Sequence, residues 1–506
     1  MFDSRLLGII LTIVIYLLGM LVVGWYYSKR TNDAGDFYLG GRKLGPFVTA
    51  MSAEASDMSG WLLMGLPGVA LAGSIAEASW TAIGLAVGTY INWLIVAKRL
   101  RLYTEACGNS VTLPDFFHNR YQDKTKLLKT IAAIVIVIFF VPYTASGFAA
   151  CGKLFNQIFG VDYKWAMIIS AFVIVAYTSM GGFGAASTTD FIQSIVMTIA
   201  LIVVVGFGVY SVGGFGNVIS NAKEWTGYFS LTTTGEVEGA IGSYNGLTIA
   251  STLAWGLGYF GMPHILLRFM AINDEKKLKL SRRIASVWVV IAMGIAIFIG
   301  IMGYSMTKNG IITGLTDSER IIIAISAFIS EYGFVFAMLA GLILAGILAS
   351  TMSTADSQLL AAASGISEDI TKGVFGIKLS AKKSMLIARL TVVIVSVIAV
   401  FLALNPNSNV FKIVSFAWAG FGAAFGPVVL LALFWKRSNV WGALAGMITG
   451  GAMVFIWKFI IADLGGVFAI YELLPAFVAA IVVNVIVSLV TPKPSKEITD
   501  LFEKIK

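Results

Sequence analysis

Long apolar stretches alternate with short polar ones along the whole sequence, and this pattern predicts a bundle of membrane-spanning helices. Each stretch is about 20 residues long, which is the length that a helix needs to cross roughly 30 Å of hydrocarbon. No polar segment between them is long enough to form a soluble domain. The pattern predicts about thirteen spans, at residues 6–27, 45–72, 77–97, 130–155, 163–182, 188–212, 244–267, 284–306, 334–362, 385–404, 410–434, 440–462 and 470–490.

The composition agrees with a chain that is surrounded by lipid. Of the 506 residues, 58% are hydrophobic and only 12% are charged, whereas an ordinary soluble domain is about one quarter charged. We therefore expect residues 1–506 to form a single all-α integral membrane domain that crosses the cell membrane many times and has lipid as its surroundings.

The positions of the basic residues predict the orientation of the chain. Most of the 36 Lys and Arg residues lie in one set of loops, with clusters at 98–129, 268–283 and 372–389, and cytoplasmic loops are the ones that retain such residues. An odd number of spans then places the N-terminus outside and residues 491–506 in the cytoplasm as a short tail. The same bias accounts for the net charge of +9 without a nucleic-acid partner.

The sequence lacks the residue patterns of an enzyme or a primary pump. It contains no G-x-x-x-x-G-K-[ST] loop for phosphates, and its two histidines leave little for acid–base chemistry. Its two cysteines do not have the spacing of a metal site. No feature of the sequence indicates an obligatory protein partner, so a transporter of small solutes is favoured over a catalytic protein.

Two of the predicted spans contain residues that interrupt a helix. The second span carries Asp57, Ser59 and Gly60 near its middle, and the seventh reads Ala-Trp-Gly-Leu-Gly-Tyr-Phe-Gly-Met-Pro over residues 254–263. Gly costs a helix interior about 1 kcal/mol and Pro about 3 kcal/mol, and in lipid each freed backbone group needs a new partner. Backbone of this kind is tolerated where it lines a cavity or binds a ligand, although glycine runs can also serve close helix packing.

The two interrupted spans stand at corresponding positions of the chain. Each opens a block of five predicted spans, and because five is odd the two blocks have opposite topology. This is the pattern of an inverted repeat with a binding site between the two broken helices. It predicts repeats at 45–212 and 244–434, a peripheral first helix at 6–27 and two further helices at 440–490.

A hydroxyl cluster in the ninth span is a candidate cation site. Ser350, Ser353 and Thr354 follow each other at i, i+3 and i+4, so their oxygens share one face of a helix. A hard cation such as Na⁺ suits several neutral oxygens. The spacing fits equally well with hydroxyls that bond back to carbonyls of their own helix, and the residues by themselves leave both interpretations open.

At these residues the chain closely resembles the sodium/solute symporter family. The resemblance runs in the same order along nearly the whole chain and is carried by the stretches Leu39–Pro46, Ala55–Pro67, Trp255–Gly261 with Pro263 and His264, Met352–Thr354 and Ala417–Pro427.

The resemblance implies a LeuT-type core of five plus five inverted helices, alternating access and transport driven by Na⁺. It implies a sodium site formed by the backbone carbonyls of Ala55, Met58 and Ser350 and by the hydroxyls of Ser353 and Thr354.

The motifs match the proline-transporting members of the family, which implies L-proline as the small-molecule substrate. The alternative is a symporter of the same family that carries another small solute, such as pantothenate, a monocarboxylate or a sugar. In that case Na⁺ or H⁺ is the driving ion. The substrate site implied by the resemblance contains Ser59, Gly60, Trp61, Tyr143, Trp255, Tyr259 and Pro263.

Three further residues are implied to act in coupling or in the ion pathway. Asp57 is expected to be important for sodium-dependent transport, because an intramembrane carboxyl is costly and is a functional candidate by default. The alternative is that Asp57 only caps the second half-helix. Arg42 matches a family position tied to coupling, although it also suits an ordinary basic loop, and Asp190, near the start of the sixth span, is a further candidate for the ion pathway. Glu54 and Met262 depart from the family pattern, where we expect a small residue and a glutamine.

Overall fold

The computed structural model describes residues 4–235, 241–377, 380–405 and 410–505. The first half of the chain is helical, apart from short connections. Its helices are α1 (Ser4–Ser28), α2 (Ala34–Leu39), α3 (Pro46–Asp57), α4 (Leu66–Ala72), α5 (Ile75–Ile91), α6 (Ala97–Ala106), α7 (Leu113–Tyr121), α8 (Leu127–Phe159), α9 (Tyr163–Ser211) and α10 (Phe215–Lys223).

Two short antiparallel strands, β1 (Thr233–Thr234) and β2 (Gly242–Ser243), follow, and Thr233 pairs with Ser243. The chain then continues as α11 (Gly246–Leu253), α12 (Pro263–Ala271), α13 (Leu278–Lys308), α14 (Ile321–Ser330), α15 (Phe334–Ser364), α16 (Ala381–Leu402), α17 (Val410–Phe434), α18 (Val440–Ile456), α19 (Leu473–Val490) and α20 (Lys496–Lys504).

Within the described residues, ten helical runs are long and apolar enough to cross a membrane. Their outward faces carry exposed large apolar side chains, such as Ile15 and Leu18 on α1 and Phe401 on α16. Water would penalise such surfaces, whereas hydrocarbon does not. The ten runs are Ser4–Ser28, Ile75–Ala106, Leu127–Phe159, Tyr163–Ser211, Glu275–Lys308, Phe334–Val374, Ala381–Leu402, Val410–Phe434, Val440–Leu464 and Leu473–Val490.

The fifth and sixth predicted spans both lie in α9, on either side of a kink. The run bends at Gly182, whose φ of 60° and ψ of −151° are not helical. A side chain there would overlap the backbone and ring of Phe37, so the bend requires glycine for both its backbone angles and its close neighbour. The second and seventh predicted spans are the two that the sequence predicted to be interrupted. In the structure, neither of them is one long helix.

The centre of the protein is built around α15 and α17. Nearly every residue of α15 from Ile343 to Ser364 is buried, and so is α17 from Ala417 to Val429. Helices α3, α8 and α9 pack on α15. In contrast, α1 buries only one stripe of small and apolar side chains, against α9 and α15. The polar residues of the candidate site therefore lie where lipid cannot reach them.

Candidate functional site

The first break interrupts the second predicted span at Met58. Helix α3 ends at Asp57, and a π-helical turn from Trp61 to Gly65 connects it to α4. Ser59 and Gly60 occupy the junction, where the Ser59 hydroxyl accepts a hydrogen bond from the Trp61 N–H at 3.3 Å. Glu54 lies inside α3 rather than in the break.

The second break is a stretch of tighter 3₁₀ helix from Ala254 to Phe260, and α12 begins after it with Pro263 in its first turn. Side chains added at Gly256, Gly258 or Gly261 would overlap Gly84, Trp418 or Phe421 respectively. The glycines of this break therefore serve close packing as well as the change of helix type. The packing explanation, which the sequence left open, holds for these three positions.

A hydrogen bond joins the two breaks. The Tyr259 hydroxyl, on the second break, donates to Asp57 Oδ2 at the end of α3 over 2.5 Å. The Asn92 side chain donates to the Tyr259 carbonyl at 3.0 Å and holds this segment against the turn that follows α5. Both Asp57 and Tyr259 are 1% exposed, so the bond is sheltered from water and lipid.

The structure brings four of the five predicted sodium ligands together. The Ser353 hydroxyl is 2.8 Å from the Ala55 carbonyl and 3.2 Å from the Ser350 carbonyl, and the Thr354 hydroxyl is 3.2 Å from the same Ser350 oxygen. The Met58 carbonyl lies at the end of α3 and accepts the Leu62 N–H at 3.2 Å.

The hydroxyls of this cluster bond both within their own helix and across to α3. Thr354 bonds to a carbonyl of its own helix, whereas Ser353 also bonds to a carbonyl of α3. Neutral carbonyl and hydroxyl oxygens at a helix break form the type of ligand set that holds Na⁺ in transporters with broken helices. The residues present therefore fit that ion.

A small cavity lies beside this oxygen cluster. Its volume of about 10 Å³ is at the lower limit for a single water, so a solute such as proline requires its walls to move apart. Thr354 borders both the cavity and the oxygen cluster, so the two candidate sites share a wall. The cavity is lined by Ser59, Gly60, Tyr143, Ser146, Gly147, Ala150, Thr351, Thr354, Ala355, Gln358 and Val410.

Three of the seven predicted substrate residues line this cavity, namely Ser59, Gly60 and Tyr143. The sequence did not single out Thr351 or Gln358, although Gln358 lies one turn beyond Thr354 on α15 and this spacing could have indicated it. The Thr144 hydroxyl donates to Gln358 Oε1 at 3.1 Å.

Three of the predicted aromatic residues, Trp61, Trp255 and Tyr259, lie in a cluster outside the cavity. The Trp255 ring stacks on Tyr471 at 5.1 Å and lies 6.2 Å from the Trp61 ring, measured between ring centroids. Its carbonyl accepts the indole N–H of Trp418 at 2.7 Å, and Tyr259 meets the same indole edge-on at 5.2 Å. Pro263 is buried at the start of α12 and does not line the cavity.

Asp190 belongs to a buried ion pair that the sequence did not predict. Its Oδ2 accepts from Arg268 Nη2 at 2.9 Å and from the Ser52 hydroxyl at 2.6 Å. The charge pattern had placed Arg268 in a basic loop, but it is 1% exposed within α12. A second buried carboxyl, Asp356, accepts from the Ser357 hydroxyl at 2.9 Å beside this pair.

Arg42 ties together three segments at one end of the broken helices. Its guanidinium donates to the Ser110 carbonyl at 2.9 Å, to Asn109 Oδ1 at 2.8 Å and to the Met270 carbonyl at 2.5 Å. Arg42 adopts a φ of 55°, which non-glycine residues rarely do. Burial, and secondarily the nearby positive charge of Arg101, lowers the pKa of Arg42 to about 10, which leaves it charged at neutral pH.

The two residues that depart from the family pattern are both buried. Glu54 Oε1 accepts from the indole N–H of Trp93 at 2.9 Å. Met262 immediately precedes α12, with extended backbone angles and no exposed surface.

The sequence is similar to several bacterial transporters over almost its whole length. It is 43% identical to the osmoregulated proline transporter OpuE of Bacillus subtilis over 495 residues, which cover 98% of this chain and 97% of OpuE. It is 44% identical to the high-affinity proline transporter PutP of the same organism over 487 residues, 96% of this chain and 98% of PutP. A sodium/proline symporter of Haemophilus influenzae is 43% identical over 514 residues, 99% of this chain and 98% of that protein.

The fold is shared with a solved structure of a Na⁺-coupled sialic acid symporter. The TM-score is 0.78 at 18% sequence identity, over 97% of this chain and 99% of the other. This agrees with the expected helical transporter fold. Residues 37–450 match the sequence pattern described as "Sodium:solute symporter family", and this range includes both breaks and the hydroxyl cluster. The chain therefore belongs to the sodium:solute symporter family.

Proposed function

We propose that this protein imports L-proline together with Na⁺ by alternating access. The observation that carries the proposal is the oxygen cluster of Ala55, Ser350, Ser353 and Thr354, which shares Thr354 with the cavity next to the first break. An ion bound in this cluster would stiffen the wall against which the solute binds. The names of the three relatives, which are 43–44% identical, support proline as the solute.

Na⁺ would be held by the carbonyls of Ala55, Met58 and Ser350 and by the hydroxyls of Ser353 and Thr354. All five residues are at most 2% exposed, so an ion held by their oxygens would be sheltered from water and lipid. The hydroxyls of Ser353 and Thr354 donate to carbonyls. When the ion binds, these hydroxyls can turn and present their oxygens to it, so the site forms with little movement.

Proline would bind at the break between α3 and the π-helical turn. Its carboxylate would accept from the backbone N–H of Gly60 and, in place of the Ser59 hydroxyl, from that of Trp61, since N–H groups at the start of a helical segment attract anions. The hydroxyls of Ser59 and Tyr143 line the same cavity. Trp61, Trp255, Tyr259 and Pro263 would provide the apolar wall for the ring once the cavity has widened.

The topology that we propose has thirteen spans, with the N-terminus outside and residues 491–506 in the cytoplasm. The ten long runs become eleven spans when α9 is counted as two, one on each side of Gly182. The two broken segments, each counted as one span, bring the number to thirteen. Residues 45–212 and 244–434 would form the two inverted repeats, each beginning with a broken helix. Removal of a C-terminal tag by protease added outside intact cells would contradict this orientation.

The test is uptake of labelled L-proline into proteoliposomes, with an inward Na⁺ gradient or with K⁺ in its place. The parent protein should accumulate proline only with Na⁺. Ser353→Ala/Thr354→Ala should lower the apparent Na⁺ affinity at least about tenfold, since about 1.4 kcal/mol of lost ligand energy has this effect.

The matched control is Ser326→Ala/Ser396→Ala, which removes two buried hydroxyls that bond only to carbonyls of their own helices. This control should behave like the parent. Transport of pantothenate, a monocarboxylate or a sugar in place of proline would overturn the substrate, and Na⁺-independent uptake would overturn the ion site.

A further inference from the structure

A second cavity lies between α1, α8, α9 and α15, away from both candidate sites. Its volume is about 130 Å³, compared with about 10 Å³ for the cavity beside the oxygen cluster. None of the proposed sodium or substrate residues lines it. It does reach the helix that carries the hydroxyl cluster, because Leu348 and Met352 of α15 form part of its wall.

The walls of this second cavity are apolar. Two lining residues carry a hydroxyl or a thiol. Ser170 donates its hydroxyl to the Ala166 carbonyl of its own helix at 2.8 Å, and a buried free cysteine such as Cys151 behaves as a small apolar residue. The other lining side chains are aliphatic or aromatic, or belong to methionine. A cavity of this kind stays free of water, and its walls gain dispersion contacts only when an apolar group fills it.

The second cavity connects the outer surface of the helix bundle with its buried centre. Val161 and Ile169 border its outer part and are 41% and 60% exposed. Cys151, Leu348 and Met352 border its inner part and are at most 2% exposed. Exposed apolar faces of a membrane-spanning chain contact lipid, so the group that can enter from this side is hydrocarbon.

The second cavity also has about the depth of one lipid leaflet. Along α9 its lining residues run from Ala166 to Ile174, which is roughly 12 Å at 1.5 Å per residue. One leaflet provides roughly 15 Å of hydrocarbon, which is half of the apolar thickness of a membrane. Lys164 and Trp165 precede Ala166 and are exposed, and such residues mark the level of the lipid headgroups. The cavity therefore extends from the headgroup level towards the middle of the membrane, as an acyl chain does.

We propose that the second cavity binds one acyl chain of a membrane phospholipid. The lipid belongs to the leaflet that meets the connection between α8 and α9, which is the outer leaflet in the topology proposed above. The chain enters between Val161 and Ile169, and its end packs on Leu348 and Met352 of α15. A lipid chain thereby completes the packing of the helix that also carries the hydroxyl cluster.

The test is photolabelling of the purified protein in vesicles of phosphatidylethanolamine and phosphatidylglycerol. A trace of the phosphatidylglycerol carries a diazirine near the end of one acyl chain, so that illumination attaches the chain to the side chains that it contacts. Mass spectrometry of the digested protein then identifies the labelled residues. We expect label on the buried inner wall, at Cys151, Leu348 or Met352.

Two residues serve as controls within the same sample. Phe401 is 68% exposed on the outer face of α16 and should be labelled, because it contacts lipid whether or not the second cavity is filled. Ile343 lies on α15, is fully buried and does not line the second cavity, so it should stay unlabelled.

Two variants fill the second cavity from different helices, so the test remains decisive if one of them does not fold. Ala166→Phe adds a ring from α9, and Leu17→Trp adds one from α1. Each should lower the label on the inner wall at least about tenfold, because the ring takes the space of the chain, and should leave the label on Phe401 unchanged. Ile168→Phe is the matched control, since it adds a ring on the same turn of α9 outside the second cavity, and it should be labelled like the parent.

Label on Phe401 with none on the inner wall would overturn the proposal, since the second cavity would then be closed to lipid. Label that persists on the inner wall of both folded filling variants would also overturn it, because the chain would then reach α15 by another route. An unlabelled inner wall in a protein that chemical crosslinking shows to be a dimer would assign the second cavity to a second copy of the chain instead.

Discussion

The two broken helices differ in what their small residues do. At the first break, Gly60 faces the cavity, where an added side chain would lie 3.1 Å from the Thr351 hydroxyl and 3.8 Å from Ala150. At the second break, Gly256, Gly258 and Gly261 are pressed against neighbouring backbone and the Trp418 indole. One break borders a small cavity, and the other is packed tightly.

The comparison shows that one sequence feature can have two physical causes. A glycine in a membrane helix relaxes the backbone, and it also removes a side chain where another element approaches closely. The first break places Ser59 and Gly60 along the wall of a cavity. The second uses glycines so that α5 and α17 can hold an unusual 3₁₀ segment in place, with Tyr259 aimed at Asp57.

The largest expected effect is that of Gly258→Ala at the packed break. The new Cβ would overlap the Trp418 indole, and overpacking of a core costs about 1–3 kcal/mol or more. The yield of monodisperse purified protein and its thermal midpoint should both fall clearly. Gly294→Ala on α13 has open space around it and should match the parent; a stable Gly258→Ala protein would mean that the two breaks do not differ in this way.

A smaller effect is expected for Tyr259→Phe, which removes the link between the breaks. Asp57 Oδ2 would lose its 2.5 Å donor, and a buried acceptor left without its partner costs about 1–3 kcal/mol. The Kd for proline should rise about tenfold or more in the folded protein. Tyr244→Phe removes a hydroxyl that pairs with Thr252 outside the break and serves as the control; equal effects of the two variants would contradict a special role for the link.

The smallest effect is expected for Gly60→Ala at the open break. The variant should fold like the parent, while its Kd for proline rises several-fold because the new methyl group narrows the cavity next to Thr351. Thr351→Ala removes the nearest atom, so the double variant should recover part of the affinity. Additive losses in the double variant would argue against crowding as the cause.

Much of this protein followed from the sequence. Residues that contact the hydrocarbon of a membrane must be apolar. The lengths and positions of the apolar stretches therefore predicted a helical protein with many spans. Breaks at Gly60 and around Gly258 were also predictable, because Gly and Pro have local costs that do not depend on the fold. The i, i+3, i+4 spacing of Ser350, Ser353 and Thr354 placed their oxygens on one face for the same local reason.

Contacts between distant segments depended on the tertiary structure. The pattern of basic residues placed Arg268 in a loop, because a guanidinium alone is too costly in an apolar core, and only folding supplies Asp190, Ser52 and Ser357 to compensate it. The sequence also could not predict three other features: the partner of Ser353 on α3, the packing role of Gly258 and the cavity wall shared through Thr354. The sequence determines the free-energy cost of each residue in a local helix. The energy of a contact between two residues depends on which segments the fold brings together.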